Sequence, residues 1–240
     1  MHNVIRYGLF FSLIISLISF SDLSAQLTYF NIMLDGQQAS AGNGTGSPGT
    51  GQGYGTYDAS TMTVTLCGSY SGLMGNVSAA HSHRAPAGSN GNVAFGLSYT
   101  PMSNTGTFSG SKVLSSNDAG LLLNDGMYVN IHTTAFGGGE IRGQVLVQSV
   151  EICNNNIDDD SDGMTDEKEN NIWIGGTNGD WHASQCNWSL GIIPNYCHSV
   201  IINAPDTVGV SVGNLAIGYL LDVKAGATLC GDGELDIISN

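Results

Sequence analysis

Between Met127 and His132 apolar and polar residues alternate one by one. Met127, Val129 and Ile131 point one way, and Tyr128, Asn130 and His132 point the other. A period of two marks a strand with one buried face, because a helix would smear those apolar residues around its circumference. The alternation returns in Thr61–Cys67, in Asn76–His83 and in Glu140–Gln148, where Ile141, Val145 and Val147 oppose Glu140, Arg142 and Gln144. Residues 27–34 read as a first strand, Asn92–Ser98 and Thr105–Ser109 as further ones, and Ser116–Asn124 as one or two helical turns capped by Ser116 or Asn117. With 34 glycines in 240 residues and only 11% charged residues, the chain is rich in turns and poor in helix surface. Roughly seven short strands in about 120 residues predict an all-β sandwich. The Gly/Ser/Thr-rich stretch from Ala41 to Tyr57 is expected to be a flexible loop. Its Gly44, Gly46 and Gly49 match a dinucleotide fingerprint in spacing alone, since Pro48 interrupts it and no helix pattern follows.

Residues 1–25 read as a signal peptide, with Arg6, an apolar run from Gly8 to Phe20, and Ser24-Ala25 before the cleavage point at Gln26. That run is shorter than the roughly 20 apolar residues a bilayer needs, and no later stretch reaches that length. Secretion or display at the cell surface, without membrane insertion, is the expectation. The net charge of −14 is concentrated, for Glu151–Glu169 holds eight acidic residues against one lysine. Focused negative charge calls for a cation and disfavours nucleic acid or anionic lipid as a partner.

Within that stretch Asp158, Asp160, Asp162, Gly163, Met164, Asp166 and Glu169 fit the twelve-position calcium loop. Side-chain oxygens fall at positions one, three, five and twelve, and the glycine turns at six. Met164 would lend its backbone carbonyl at seven, and Asp166 would bind directly or through water at nine. Without a hard cation, so many carboxylates on a tight turn repel one another. No flanking helices are evident, so a stand-alone calcium loop is expected.

Three ordered sets of residues carry resemblances. Leu34-Asp35-Gly36-Gln37, Gly72-Leu73, Ala79-Ala80-His81-Ser82-His83, Ala85-Pro86, Tyr128–Thr133 and Gly139-Glu140-Ile141-Arg142-Gly143-Gln144 resemble the CHRD domain, named for chordin and common in secreted bacterial proteins. The resemblance spans about residues 27–148 and implies a β-sandwich; in chordin such domains belong to a binder of growth factors. Residues 151–169 resemble the calcium loops of exported bacterial proteins, whose regular Asp-Glu falls here at Asp166-Glu167, so Glu167 competes with Glu169 as the last ligand. Those loops often hold a second cysteine, where this chain has Ser161, which leaves the partner of Cys153 open. Asp180-Trp181 and Asn187-Trp188-Ser189, followed by Gly191 and Pro194, resemble a module of Bacteroidetes-type surface proteins. Downstream, Val200–Asn203, Val208–Val212, Leu220–Lys224 and Leu235–Ile238 alternate like rungs of a parallel β-solenoid. The expected layout is all-β: a CHRD-like sandwich over 26–149, the calcium loop over 150–170, and a small solenoid-like module over 171–240, incomplete at its end.

His81 and His83 lie two apart on one strand and share a face. With His132 from another strand they could hold copper or zinc, an arrangement faintly like the His-x-His of copper/zinc superoxide dismutase. Glu140 and Cys67 are the chemical candidates for a fourth ligand, and the bland alternative is imidazoles bonding to loops. Glu140 and Arg142, also two apart, suggest a salt-bridged structural pair. Five cysteines in an exported chain favour disulfides with at least one thiol free or paired elsewhere, and Cys186 and Cys197, flanking one loop, are the expected bond. Trp173, Trp181 and Trp188 could stack on sugars or anchor a core. Gly68–Gly72 has Tyr70 where a nucleophile elbow needs serine, and no other catalytic constellation is legible. The expected function is therefore calcium-stabilised binding or adhesion to an extracellular protein or glycan. A copper or zinc protein, with redox activity in reach, is the alternative.

Overall fold

A computed structural model describes residues 27–149, 164–165, 168–175, 179–183, 185–195, 197–211, 214–218 and 220–237. The first part builds ten antiparallel strands: β1 (Leu27–Asp35), β2 (Thr50–Asp58), β3 (Thr63–Ser71), β4 (Val77–Arg84), β5 (Val93–Gly96), β6 (Ser98–Tyr99), β7 (Gly106–Val113), β8 (Met127–Thr133), β9 (Ile141–Gln144) and β10 (Leu146–Gln148). They pair in the order β5-β4-β8-β9-β1-β2-β3-β7-β6, with β10 also on β1. The sheet curls until its ends meet, where the Leu97 N–H donates to the Ala80 carbonyl at 2.9 Å. Phe30, Ile32, Leu66, Phe108, Val129, Ile131 and Ile141 fill the interior, each at most 1% exposed. The inward residues are the ones the period-two pattern selects on β3, β8 and β9. Helix α1 (Ser116–Leu122) plugs one end through Ala119 and Leu122, and its cap is Ser115, whose hydroxyl accepts from Asp118 N–H.

The expectation of a loop over 41–57 fails in its second half, because Thr50–Asp58 is a central strand paired along its whole length with β1 and β3. Its glycines are packing devices. Gly53 faces Gly68 across the sheet, and a Cβ on either would come within 2.7 Å or less of the Phe108 ring. The turn before it uses Gly44 and Gly46 at positive φ and runs into this strand, with no helix for a nucleotide to cap.

The second part is a parallel solenoid. β11 (Glu169–Ile172), β13 (His198–Ile202) and β16 (Leu220–Val223) form one face. A second comprises β12 (Gly179–Asp180), β14 (Thr207–Val210) and β17 (Thr228–Gly231), and a third β15 (Leu215–Gly218) and β18 (Glu234–Ile237). The pairings between these strands are all parallel, beside one isolated antiparallel bridge between Trp173 and Trp188. Val200, Ile202, Val208, Val210 and Ala216 point inward with the three tryptophans. Trp173, Trp181 and Trp188 are at most 1% exposed and pack edge to face at 4.7–5.0 Å. They are core anchors with no face for a sugar.

The expected Cys186–Cys197 bond does not form. Cys186 joins Cys67 of β3, with Cα atoms 6.2 Å apart, and so ties the solenoid to the sandwich. Closing a local loop ignores that residues 185–191 lie on the outer face of β2, where Tyr54 donates to the Ser189 carbonyl and Gln185 to Thr56. Gly191, at positive φ, has no room for a Cβ beside the Tyr54 ring. Cys197 is disulfide-bonded to a residue outside the described ones, and Cys230 is free and exposed.

His198, almost wholly buried in the first face of the solenoid, accepts the Asn195 N–H on Nδ1. Burial holds its pKa at about 4, against an ordinary 6.5. The unfolded chain therefore binds the extra proton first. The solenoid's stability should be complete above pH 6.5 and fall as pH drops toward 4, by about 3 kcal/mol in all. Denaturant midpoints measured between pH 4 and 7 should show this loss in the native chain and not in His198→Gln.

Candidate metal centre

Strands β4 and β8 pair so that His83 lies opposite Tyr128, His81 opposite Asn130, and Ala79 opposite His132. Ala80 and Ser82 point into the core, so the pleat sends both β4 histidines to the other face, where His132 also lies. Loops following the two strands fold over that face. The Gly91 carbonyl meets His83 Nδ1 at 3.0 Å, and the Gly137 carbonyl meets His132 Nδ1 at 3.0 Å. A carbonyl only accepts, so both rings carry hydrogen on Nδ1 and leave Nε2 as the unprotonated nitrogen, the atom that can accept or ligate. His132 Nε2 lies 3.2 Å from His81 Nδ1, and His83 Nε2 is buried with no hydrogen-bond partner among the described residues.

One ligand atom from each histidine lies within 4.8 Å of the other two. Three nitrogens each about 2.0 Å from one ion in a trigonal plane are about 3.5 Å apart, so the widest pair needs to close by little more than about 1 Å. Burial, then the neighbouring His132, lowers the His81 pKa. Burial is also the main cause lowering that of His83, with the Gly91 bond opposing it and the charges of His132, His81 and Arg142 adding to it. Both rings are thus neutral at pH 7, the form that ligates a metal. The fit is chemical as well as geometric: an orphaned buried nitrogen, two oriented rings and a proton shared by two imidazoles that an ion would displace.

Neither candidate for a fourth ligand joins them. Cys67 is consumed by its disulfide. Glu140 is fully buried elsewhere and accepts from Ser47 Oγ (2.6 Å), Met74 N–H (2.5 Å), Gly75 N–H (3.2 Å) and Thr133 Oγ1 (2.7 Å). Nor does it pair with Arg142, as their spacing suggested. Arg142 donates to the carbonyls of Ser89 and Pro86 and to Gln144 Oε1, and its guanidinium lies 3.7 Å above the Tyr128 ring. Tyr128 in turn stacks on His83, with ring centres 4.9 Å apart and planes 11° off parallel. Sequence reasoning missed Tyr128 and Arg142 as neighbours of the site, although the strand alternation already put Tyr128 on the His132 face.

Of the expected calcium ligands, Asp158, Asp160, Asp162, Asp166 and Glu167 lie outside the described residues. Met164 is exposed, and Glu169 opens β11 beside His198.

A curled antiparallel sandwich with an imidazole cluster under two surface loops defines the class, an all-β sandwich module of extracellular type. Residues 30–145 match the CHRD domain, which covers the sandwich from β1 to Val145 and leaves the solenoid outside. No curated protein matches the chain. Among the described residues no helix is long and apolar enough to cross a membrane, and disulfides suit an oxidising, extracellular-type compartment.

Proposed function

We propose that this chain is a secreted or cell-surface binding protein whose CHRD-like sandwich holds a transition-metal ion, copper or zinc, through His81, His83 and His132. One observation carries it: three imidazoles from two adjacent strands converge, with two of them oriented by backbone carbonyls. The acidic loop between Gln148 and Glu169 takes calcium in this proposal, on the strength of its carboxylate spacing, and tethers sandwich to solenoid. Binding of an extracellular protein or glycan, rather than catalysis, is the role that such a stabilised pair of modules serves.

Metal analysis of the mature chain, residues 26–240, tests both sites. After loading and desalting, about one transition ion per chain is expected. His81→Ala and His132→Ala should each lower retention by at least about tenfold, the scale of losing one ligand. Calcium uptake should be unchanged in both variants. Equal retention by native and substituted chains, or none by either, would remove the triad as a site.

A further inference from the structure

Resting on the metal reading above, we infer that the ion the triad selects is monovalent copper, held three-coordinate, and that the Arg142–Tyr128 stack beside His83 sets this preference. The ligand set is neutral. Among the described residues the cluster contains three histidines and no carboxylate or thiolate. The two residues chemically able to add a negative ligand are committed, Glu140 to four donors and Cys67 to Cys186. No ligand among the described residues carries negative charge to offset a second positive charge on the ion.

A fixed cation makes that second charge costlier. Arg142 is 2% exposed, permanently charged, and bonded among the described residues only to neutral oxygens. Strand β8 lies between β4 and β9. Tyr128 is thus the element between the guanidinium, 3.7 Å from its ring, and His83, 4.9 Å away. Across one aromatic ring in a poorly screened site, each added unit of charge on the ion is repelled. A divalent ion would have to recruit an anion from solution to relieve this. Zinc also requires a fourth ligand for its tetrahedral shell, which the triad does not supply. Monovalent copper has a filled d shell, is content with three nitrogens, and brings half the charge.

Competition titrations on the mature chain test this. Cu(I) is measured anaerobically with ascorbate against bicinchoninate, Cu(II) against nitrilotriacetate, and Zn(II) against a chromophoric chelator. X-ray absorption gives the coordination number. Cu(I) should be the tightest of the three and show three nitrogen neighbours. Arg142→Met should cut the preference for Cu(I) over Cu(II) by about twentyfold, the effect of one unit charge roughly 9 Å away in a partly screened site. Arg142→Lys should retain it. Should Arg142→Met fail to fold, the native competition and the coordination number decide alone. Zinc or Cu(II) binding as tightly as Cu(I), or a four-coordinate Cu(I), overturns the inference and leaves the triad standing as a metal site. A folded Arg142→Met with unchanged preference overturns the role of the stack. Failure of all three ions to bind overturns the triad itself.

Discussion

Glu140→Ala should destabilise the sandwich by about 3–5 kcal/mol, which is a large part of the stability of an ordinary domain. The carboxylate has no exposure and sits where three chain segments meet. It accepts from Ser47 in the turn before β2, from the backbone of Met74 and Gly75 before β4, and from Thr133 at the end of β8. Removing it strands two backbone N–H groups and two hydroxyls in a place water does not easily reach, and each orphan costs about 1–3 kcal/mol. Burial alone would raise the Glu140 pKa, but these four donors outweigh it and hold the group below its ordinary 4.5. Its contribution is therefore present above pH 4.5 and is lost as pH falls through the lowered pKa. Urea unfolding at pH 7 and pH 4 in a His198→Gln background, which lacks the imidazole's own acid loss, would show both effects. Glu140→Gln, which keeps one acceptor, should lose less at pH 7 and should lack the acid-sensitive part. A Glu140→Ala chain within 1 kcal/mol of the native one would mean that the three segments hold without their common acceptor.

The paired substitution Cys67→Ser and Cys186→Ser should cost about 5 kcal/mol, because the bond closes a loop between residues 119 apart. The loss should fall on the contact between modules. Among the described residues that contact also has hydrogen bonds from Tyr54 to the Ser189 carbonyl, Gln185 to Thr56 and Gln148 to the Leu190 carbonyl, at 2.6, 3.3 and 3.4 Å. Calorimetry should resolve two transitions in the variant where the native chain shows one, and limited proteolysis should release the sandwich. Substitution is the appropriate test, since a reducing agent would also open the disulfide at Cys197. Co-melting modules in the variant would show that the non-covalent contact suffices.

Much of the fold was legible because strand burial is written locally. The alternating runs at 61–67, 76–83, 127–132 and 140–148 became β3, β4, β8 and β9 with β10, with ends moved by a few residues and a break at Val145. The solenoid rungs at 200–203, 208–212, 220–224 and 235–238 became β13, β14, β16 and β18. Strand β2 was hidden, since its Gly51, Gly53 and Gly55 look like a linker until Phe108 and Leu66 are seen filling the space a side chain would take. The histidine cluster was half legible. The shared face of His81 and His83 follows from the pleat, whereas their meeting with His132 depends on a register between strands about fifty residues apart.

Outside β2, the amino-acid order by itself determined which residues of the alternating strands face inward and which side chains could ligate a metal, because these depend on neighbours one to four positions away. The tertiary structure alone decided the partners: Cys186 with Cys67, Glu140 with Ser47 and Thr133, and Arg142 with the Tyr128 ring. The first comes from how the solenoid approaches the curled sheet and the others from how strands and loops distant in sequence meet as that sheet closes, so each distance is set by the packing of the whole chain.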